Sequence, residues 1–288
     1  MEHRIDPLIA ERAPWLYGTL PGSRFARRCL HRLLGYDKTL EIAKSLEDAP
    51  TDAIMARMGN RLARMVHSSG MGHIPAHGPA LIVANHPTGI ADGIILHSLI
   101  AARRPDTYFF ANRDILRVFP QMETMIAPVE SREDKRSHAK TRETMAYLRR
   151  ATAAGRLGVI FPSGRLAKRR GLQLCERPWM QSAAMLARKF DIPAIPVNIQ
   201  ARNSALFYLF DLIHPTLRDI TLFHETLNKD RQPFKITMGE PISAAALPRN
   251  ADEATRMLRK ATLALGGADA PYVNLVAASR SLSKPPQA

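Results

Sequence analysis

The 288-residue chain contains two cysteines, Cys29 and Cys175, far apart and outside any C-x-x-C spacing. That argues against a disulfide framework and a zinc site, and the chain reads as made for a reducing compartment. Long apolar runs are also missing. The longest is Ala205–Phe210, whereas a bilayer-crossing helix takes about 20 predominantly apolar residues. The N-terminus Met1-Glu-His-Arg-Ile-Asp carries acids and no apolar core with a small-residue cleavage site, so neither a secretory signal nor a transmembrane helix is expected. Aromatic residues are 6% of the chain and do not interleave with the basic ones, which weakens a nucleic-acid-binding reading. Acids are scarce as well: 26 Asp and Glu face 41 Lys and Arg, a net charge of +15.

An excess of this size suits an anionic partner: nucleic acid, a phospholipid surface, a phosphorylated substrate or an acidic carrier protein. It is concentrated. Between Ser131 and Arg170 twelve Lys and Arg stand against three acids, and Arg24, Arg27, Arg28 and Arg32 follow one another with no acid between them. Apolar residues at 45% supply a sizeable core, and the length fits one large domain with an appended helical segment. We place that segment at residues 1–70, a main domain at 71–270 and a tail at 271–288. Within the first, Phe25, Cys29 and Leu33, with Leu30 and Leu34 beside them, recur at helical spacing while the four arginines project largely elsewhere. Such a helix either packs its stripe on the domain or lies on anionic lipid.

After the turn material at 70–79 the pattern changes. Short apolar runs at 80–84, 107–111, 126–129, 157–161, 194–199 and 234–238 read as strands. Helical patterns fall between them at about 91–102, 134–154 and 179–190, the last opening after Pro178. The alternation predicts an α/β fold: a mixed central sheet with helices on both faces, preceded by the N-terminal helical segment.

The segment Ala80-Leu-Ile-Val-Ala-Asn-His-Pro-Thr-Gly-Ile-Ala-Asp-Gly93 runs a buried strand into Asn85-His86, turns at Pro87 and Gly89, and brings Asp92 to the start of the next helix. Ligands in open α/β sheets bind outside the carboxyl ends of strands, where this reading puts His86. A histidine can take a proton from a hydroxyl when a carboxylate holds its other ring nitrogen and stabilises the imidazolium. The plainer alternative is that Asn85 and His86 shape a turn and Asp92 is a first-turn helix acid. No G-x-S-x-G elbow supplies a protein hydroxyl, since Phe161-Pro-Ser-Gly-Arg lacks the first glycine. The hydroxyl then belongs to the substrate. A second strand end, Pro162-Ser163-Gly164 with Arg165 and Lys168, suits an anionic group.

Four ordered blocks resemble the glycerolipid and lysophospholipid acyltransferases, the 1-acylglycerol-3-phosphate acyltransferase-like superfamily. They are Asn85-His86…Asp92; Phe110-Ala-Asn-Arg113 leading to Ile126-Ala-Pro-Val-Glu-Ser-Arg132; Phe161-Pro-Ser-Gly164; and Ile192-Pro-Ala-Ile-Pro-Val197. The resemblance covers about residues 70–240. Two departures stand out: five residues rather than four separate His86 from Asp92, and Ser163 replaces the usual glutamate of the third block, with Arg165 one position early. Both are similar to the branch that includes ornithine-lipid-type and hemolysin-related acyltransferases. The resemblance implies transfer of a fatty acyl chain from an acyl thioester, on coenzyme A or acyl carrier protein, to a hydroxyl of a lysophospholipid or lyso-aminolipid. It implies His86 as general base, Asp92 as its orienting partner, and no metal or resident cofactor. Arg113, Arg132, Ser163, Gly164, Arg165 and Lys168 are then candidates for holding the acceptor, and the protein is expected on the cytoplasmic side of a membrane, peripherally, against an anionic lipid surface. The rival readings are a lipid thioesterase or hydrolase whose dyad activates water, and a non-enzymatic basic nucleic-acid-binding protein.

Overall fold

The computed structural model describes residues 1–19, 22–129, 137–267 and 272–275. Four helices come first: α1 (Glu2–Arg12), α2 (Ser23–Leu34), α3 (Tyr36–Ser45) and α4 (Thr51–Leu62). Then follow β1 (Val66–Ser69), β2 (Ala80–Ala84), α5 (Ile90–Ile100), β3 (Tyr108–Asn112), α6 (Asp114–Val118), β4 (Ile126–Val129), α7 (His138–Ala153) and β5 (Leu157–Ile160). The remainder is β6 (Lys168–Arg170), β7 (Gln173–Cys175), α8 (Ser182–Lys189), β8 (Ala194–Gln200), α9 (Ala205–Ile213), α10 (Pro215–Asn228), β9 (Phe234–Met238), α11 (Ala251–Ala264) and β10 (Tyr272–Asn274).

Seven strands form one sheet in the order β1-β9-β8-β2-β5-β3-β4. The pairs of β2 with β5 and β8, and of β3 with β4 and β5, are parallel; β9 runs antiparallel to β8 and parallel to β1. The sheet is therefore mixed, and β2 at its centre has its carboxyl end flanked by those of β5 and β8. Alternation of side chains across a strand sorts the two cores. Ala80, Ile82 and Ala84 of β2 pack with Ile54, Met55 and Leu62 of α4 and Ile95, Leu96 and Ile100 of α5. Leu81 and Val83 pack on the other face with Ala183, Ala184 and Ala187 of α8 and Ala254 and Leu258 of α11. Every residue of β2 is buried, which is why it reads as an unbroken apolar run rather than an alternating one.

The strand positions expected from the sequence are present, displaced by at most one residue at an end. Several elements differ from expectation. The stretch read as helical to residue 70 ends in β1, which pairs Val66–Ser69 with Phe234–Thr237. A small second sheet, β10-β7-β6, lies outside the run of anticipated strands, and β10 falls within the region read as a tail. Residues 276–288 lie outside the described residues. The helix expected from 134 is described from His138, with Ser137 as its N-cap accepting from Lys140 N–H.

In α2 the two apolar rows part company. Leu30 and Leu34 pack into a core with Ile5, Ile9, Leu16, Phe210 and Ile220, whereas Phe25 and Leu33 are 70% and 53% exposed and Cys29 is exposed beside them. Arg24, Arg28 and Arg32 are exposed on that same outer side, not turned away from it; Arg27 instead stacks over the Tyr17 ring at 4.9 Å.

Candidate active site

β2 ends where Asn85 turns its side chain onto β8: Asn85 Nδ2 donates to the Ile199 carbonyl (2.9 Å) and its Oδ1 accepts from Ile199 N–H (2.7 Å). The amide thus occupies a ladder position, and the chain is free to turn at His86. Pro87 and Gly89 carry it into α5. Gly89 has φ +102° and ψ −136°, a region open essentially to glycine alone.

The turn brings His86 Nδ1 to 3.0 Å from Asp92 Oδ2. The Asp92 side chain is fully buried and that of His86 is 19% exposed. The carboxylate is held from several sides. Its Oδ2 accepts from Thr88 N–H (2.9 Å) and Gly89 N–H (3.0 Å), and its Oδ1 accepts from the Thr88 hydroxyl (2.5 Å). Asp92 is therefore both a helix-start acid and the partner of His86, so the two readings of the sequence are not alternatives. The extra residue between His86 and Asp92 is absorbed by the Thr88-Gly89 turn, which wraps the carboxylate with two amides and a hydroxyl. Phe161, at the end of β5, stacks on the imidazole at 4.3 Å between centroids. Nδ1 thus faces Asp92 at ion-pair distance, without the alignment of a hydrogen bond, and Nε2 is the nitrogen left for a substrate.

A Cβ at residue 89 would stand 3.1 Å from Leu166 Cδ2 on a backbone that L-residues rarely adopt. Gly89→Ala is expected to cost about 1–3 kcal/mol of stability and to shift the amide that holds Asp92. Urea denaturation and an activity assay on the same sample check both; a fully stable, fully active variant would refute this account of the turn.

The third block builds a second turn. Ser163 is buried and its hydroxyl donates to the Arg165 carbonyl (2.8 Å); Gly164, at φ +59°, donates its N–H to the Phe161 carbonyl (2.9 Å). Those polar groups are spent within the turn, and the exposed cations of the block are Arg165 and, on β6, Lys168. Ala167 N–H donates to the His86 carbonyl (2.9 Å), tying the two turns together. Arg113, at the carboxyl end of β3, forms an ion pair with Glu143 of α7. Arg132 lies outside the described residues.

Sequence reasoning did not find Glu176. Its carboxylate is buried, accepts from His86 N–H (3.2 Å) and from Trp179 Nε1–H (2.9 Å), and interacts with the Ser163 side chain. Burial pushes this carboxyl above its ordinary range, against the pull of Trp179 and His86. The acid missing from position 163 is thus supplied beside it from another part of the chain. A second buried group lies behind the dyad. Lys229 Nζ is enclosed by Glu225 Oε2 (2.8 Å), Asn203 Oδ1 (2.6 Å), Gln232 Oε1 (2.8 Å) and the Arg202 carbonyl (3.0 Å), and it feels the charge of Asp92. The only signal for Lys229 was its i, i+4 spacing from Glu225 within a polar helix end.

A family model described as Acyltransferase matches residues 65–200. A lyso-glycine lipid O-acyltransferase of Phocaeicola vulgatus is 20% identical over 244 residues, covering 83% of this chain and 85% of that protein. A protein of the same name from Bacteroides thetaiotaomicron is 20% identical over 245 residues, covering 83% and 87%. Among solved structures, the 1-acyl-sn-glycerophosphate (LPA) acyltransferase PlsC from Thermotoga maritima shares the fold, with a TM-score of 0.50, 16% identity, and coverage of 85% of this chain and 98% of that one. The matched region contains the dyad turn and the turn of Ser163, and what it defines is an acyltransferase. Residues 65–200 thus form a domain of the acyltransferase family, and the chain as a whole is similar to lipid O-acyltransferases.

Proposed function

We propose that the protein moves a fatty acyl chain from an acyl thioester, on coenzyme A or acyl carrier protein, to the hydroxyl of a lyso-aminolipid at an anionic membrane surface. The observation that carries the reading is the 3.0 Å approach of His86 Nδ1 to a fully buried, fully hydrogen-bonded Asp92 at the carboxyl edge of the sheet. His86 Nε2 takes the proton of the acceptor hydroxyl as its oxygen bonds to the thioester carbonyl carbon. The C–S bond then breaks, and the leaving thiolate receives that proton from the imidazolium. Asp92 stabilises the cation meanwhile. The products are an ester and a free thiol, with no acyl-enzyme, metal or resident cofactor in the scheme. Arg113, Arg165 and Lys168 supply cationic contacts for the acceptor, and Ser163 and Gly164 shape the turn that presents them.

A lyso-aminolipid acceptor is supported by the names of the two curated relatives and by the departure from the usual third block at Ser163. The membrane surface is supported by the outer side of α2, where Phe25, Cys29 and Leu33 adjoin Arg24, Arg28 and Arg32. Leu209, Leu212 and Ile213 of α9 are likewise 52–68% exposed, and Trp15, beside α2, donates to Thr216 just beyond α9 (3.3 Å). Apolar insertion with flanking arginines is the pattern of an interfacial helix and supports peripheral attachment, and the paucity of cysteine supports the cytoplasmic side. No helix among the described residues is long and apolar enough to cross a membrane.

Purified protein is to be incubated with acyl carrier protein or coenzyme A thioesters and a panel of lyso-glycine lipid, lyso-ornithine lipid and lysophosphatidate, with products read by mass spectrometry. Acylated aminolipid is the expected product. Free fatty acid without an acylated acceptor would overturn the proposal in favour of hydrolysis.

A further inference from the structure

Three arginines belong to segments that pack on the dyad turn. Arg165 belongs to the third-block turn. Arg177 follows Glu176, the residue whose carboxylate accepts from His86 N–H, and its Nε donates to the Leu166 carbonyl (2.8 Å). Arg218 lies on α10 one helical turn before Leu222, and Leu222 with Leu166 closes over Gly89, 3.5 and 3.1 Å from where a Cβ would stand. The charges of Arg218 and Arg165 act on Arg177, and those of Asp211 and Glu176 act on it in the opposite sense. Like charges gathered beside a reaction centre cost free energy unless something offsets them. Arg218 is paired with both Asp211 (3.1 Å) and Asp219 (2.7 Å). Arg177 is half-buried, and among the described residues no carboxylate lies within ion-pair distance of it, Asp211 and Glu176 acting on it from farther away. Its Nε is committed, so its fork of terminal nitrogens remains for a ligand.

We infer that Arg177, with Arg218 and Arg165 beside it, holds the anionic group of the acceptor's head, a carboxylate or a phosphate, next to His86. The inference rests on the acyl-transfer reading and adds to it two residues, Arg177 and Arg218, outside the four blocks. Its consequence is selectivity: the site distinguishes acceptors by head-group charge, since an anion gains a charge-assisted fork of hydrogen bonds from the guanidinium that a neutral head group cannot. Burial, and after it the neighbouring Arg218 and Arg165, already lower the affinity of Arg177 for its proton, and a bound anion would relieve that.

Three short-chain, monomeric probes test this on the full chain by titration calorimetry: an N-(3-hydroxyacyl)glycine, its methyl ester, and a lysophosphatidate of matched chain length. The wild type should bind the free acid at least about 10-fold more tightly than the ester, the scale of one hydrogen bond to a charged group. Arg177→Gln should reduce that preference to within about 3-fold, whereas Arg177→Lys, which keeps the charge, should retain part of it. Arg218→Gln should narrow it as well and serves if the first variant does not fold. Tighter binding of the lysophosphatidate than of the glycine lipid would make phosphate the anion; the reverse order, carboxylate. Equal binding of acid and ester by the wild type, or equal weakening of both by Arg177→Gln, would overturn the site. Acyl transfer to the methyl ester, measured in parallel, separates the two readings. Transfer without charge preference removes the anion site alone, and charge-dependent binding without transfer removes the acyl-transfer reading alone.

Discussion

His86→Ala is expected to lower turnover by about 10²–10⁴-fold, the usual contribution of a positioned general base. Its folding should be unchanged, since the ring gives up one contact with Phe161 and one with Asp92 at a partly open position. Asp92→Asn is expected to fall in the same range for a different reason. An amide in place of the carboxylate sets an N–H donor among the donors Thr88 N–H, Gly89 N–H and the Thr88 hydroxyl. It also leaves the imidazolium without its counter-charge. Steady-state transfer rates, with circular dichroism as the folding control, measure both. Activity within a few-fold of wild type in either variant would remove the dyad from the mechanism.

The second large effect is on stability. Lys229 and Glu225 are buried to 0% and 2% exposure, and the Glu225 carboxylate also accepts from Ser204 N–H (3.0 Å) and the Ser204 hydroxyl (2.5 Å). Lys229→Met leaves that carboxylate without its cation and Asn203 and Gln232 without their donor. Breaking a buried pair from one side costs about 3–5 kcal/mol. Removing both charges, in Lys229→Met with Glu225→Gln, should cost less than the single lysine change, because no uncompensated ion remains. Urea denaturation of the wild type and both variants decides it. A single variant within about 1 kcal/mol of wild type would show that the pair carries little of the fold's stability.

The expectations from sequence succeeded where the determinants were local. β2, β5 and β8 are buried on both faces, so each stands out as a short apolar run between turn residues. His86 and Asp92 share one turn, so their meeting could be anticipated from six positions of chain. Long-range determinants left no such trace. Glu176 meets His86 across 90 positions, and its neighbourhood reads as an acid before Arg-Pro-Trp. β6 and β7 are three residues each, and Lys168-Arg169-Arg170 has the composition of a solvated loop; only the partner strand makes it β. In α2, periodicity offered two neighbouring apolar rows, and the packing of α1, α3 and α10 decides that Leu30 and Leu34 turn inward while Phe25 and Leu33 stay out. α9 and α10 escaped notice because one is short and apolar but for Asp211 and the other carries a polar end wrapped around Lys229.

At Asn85 a side chain performs the task of a peptide unit, giving and receiving one hydrogen bond with the same residue of β8. The demand at that position is therefore for chemical identity rather than size. Aspartate has the shape, yet it would face the Ile199 carbonyl with a second oxygen. Leucine has nearly the volume and would leave both the donor and the acceptor of Ile199 unanswered inside the protein. Substitutional freedom beside the dyad is thus narrowest at a residue that takes no part in the proposed chemistry, because the placement of His86 depends on where β2 stops.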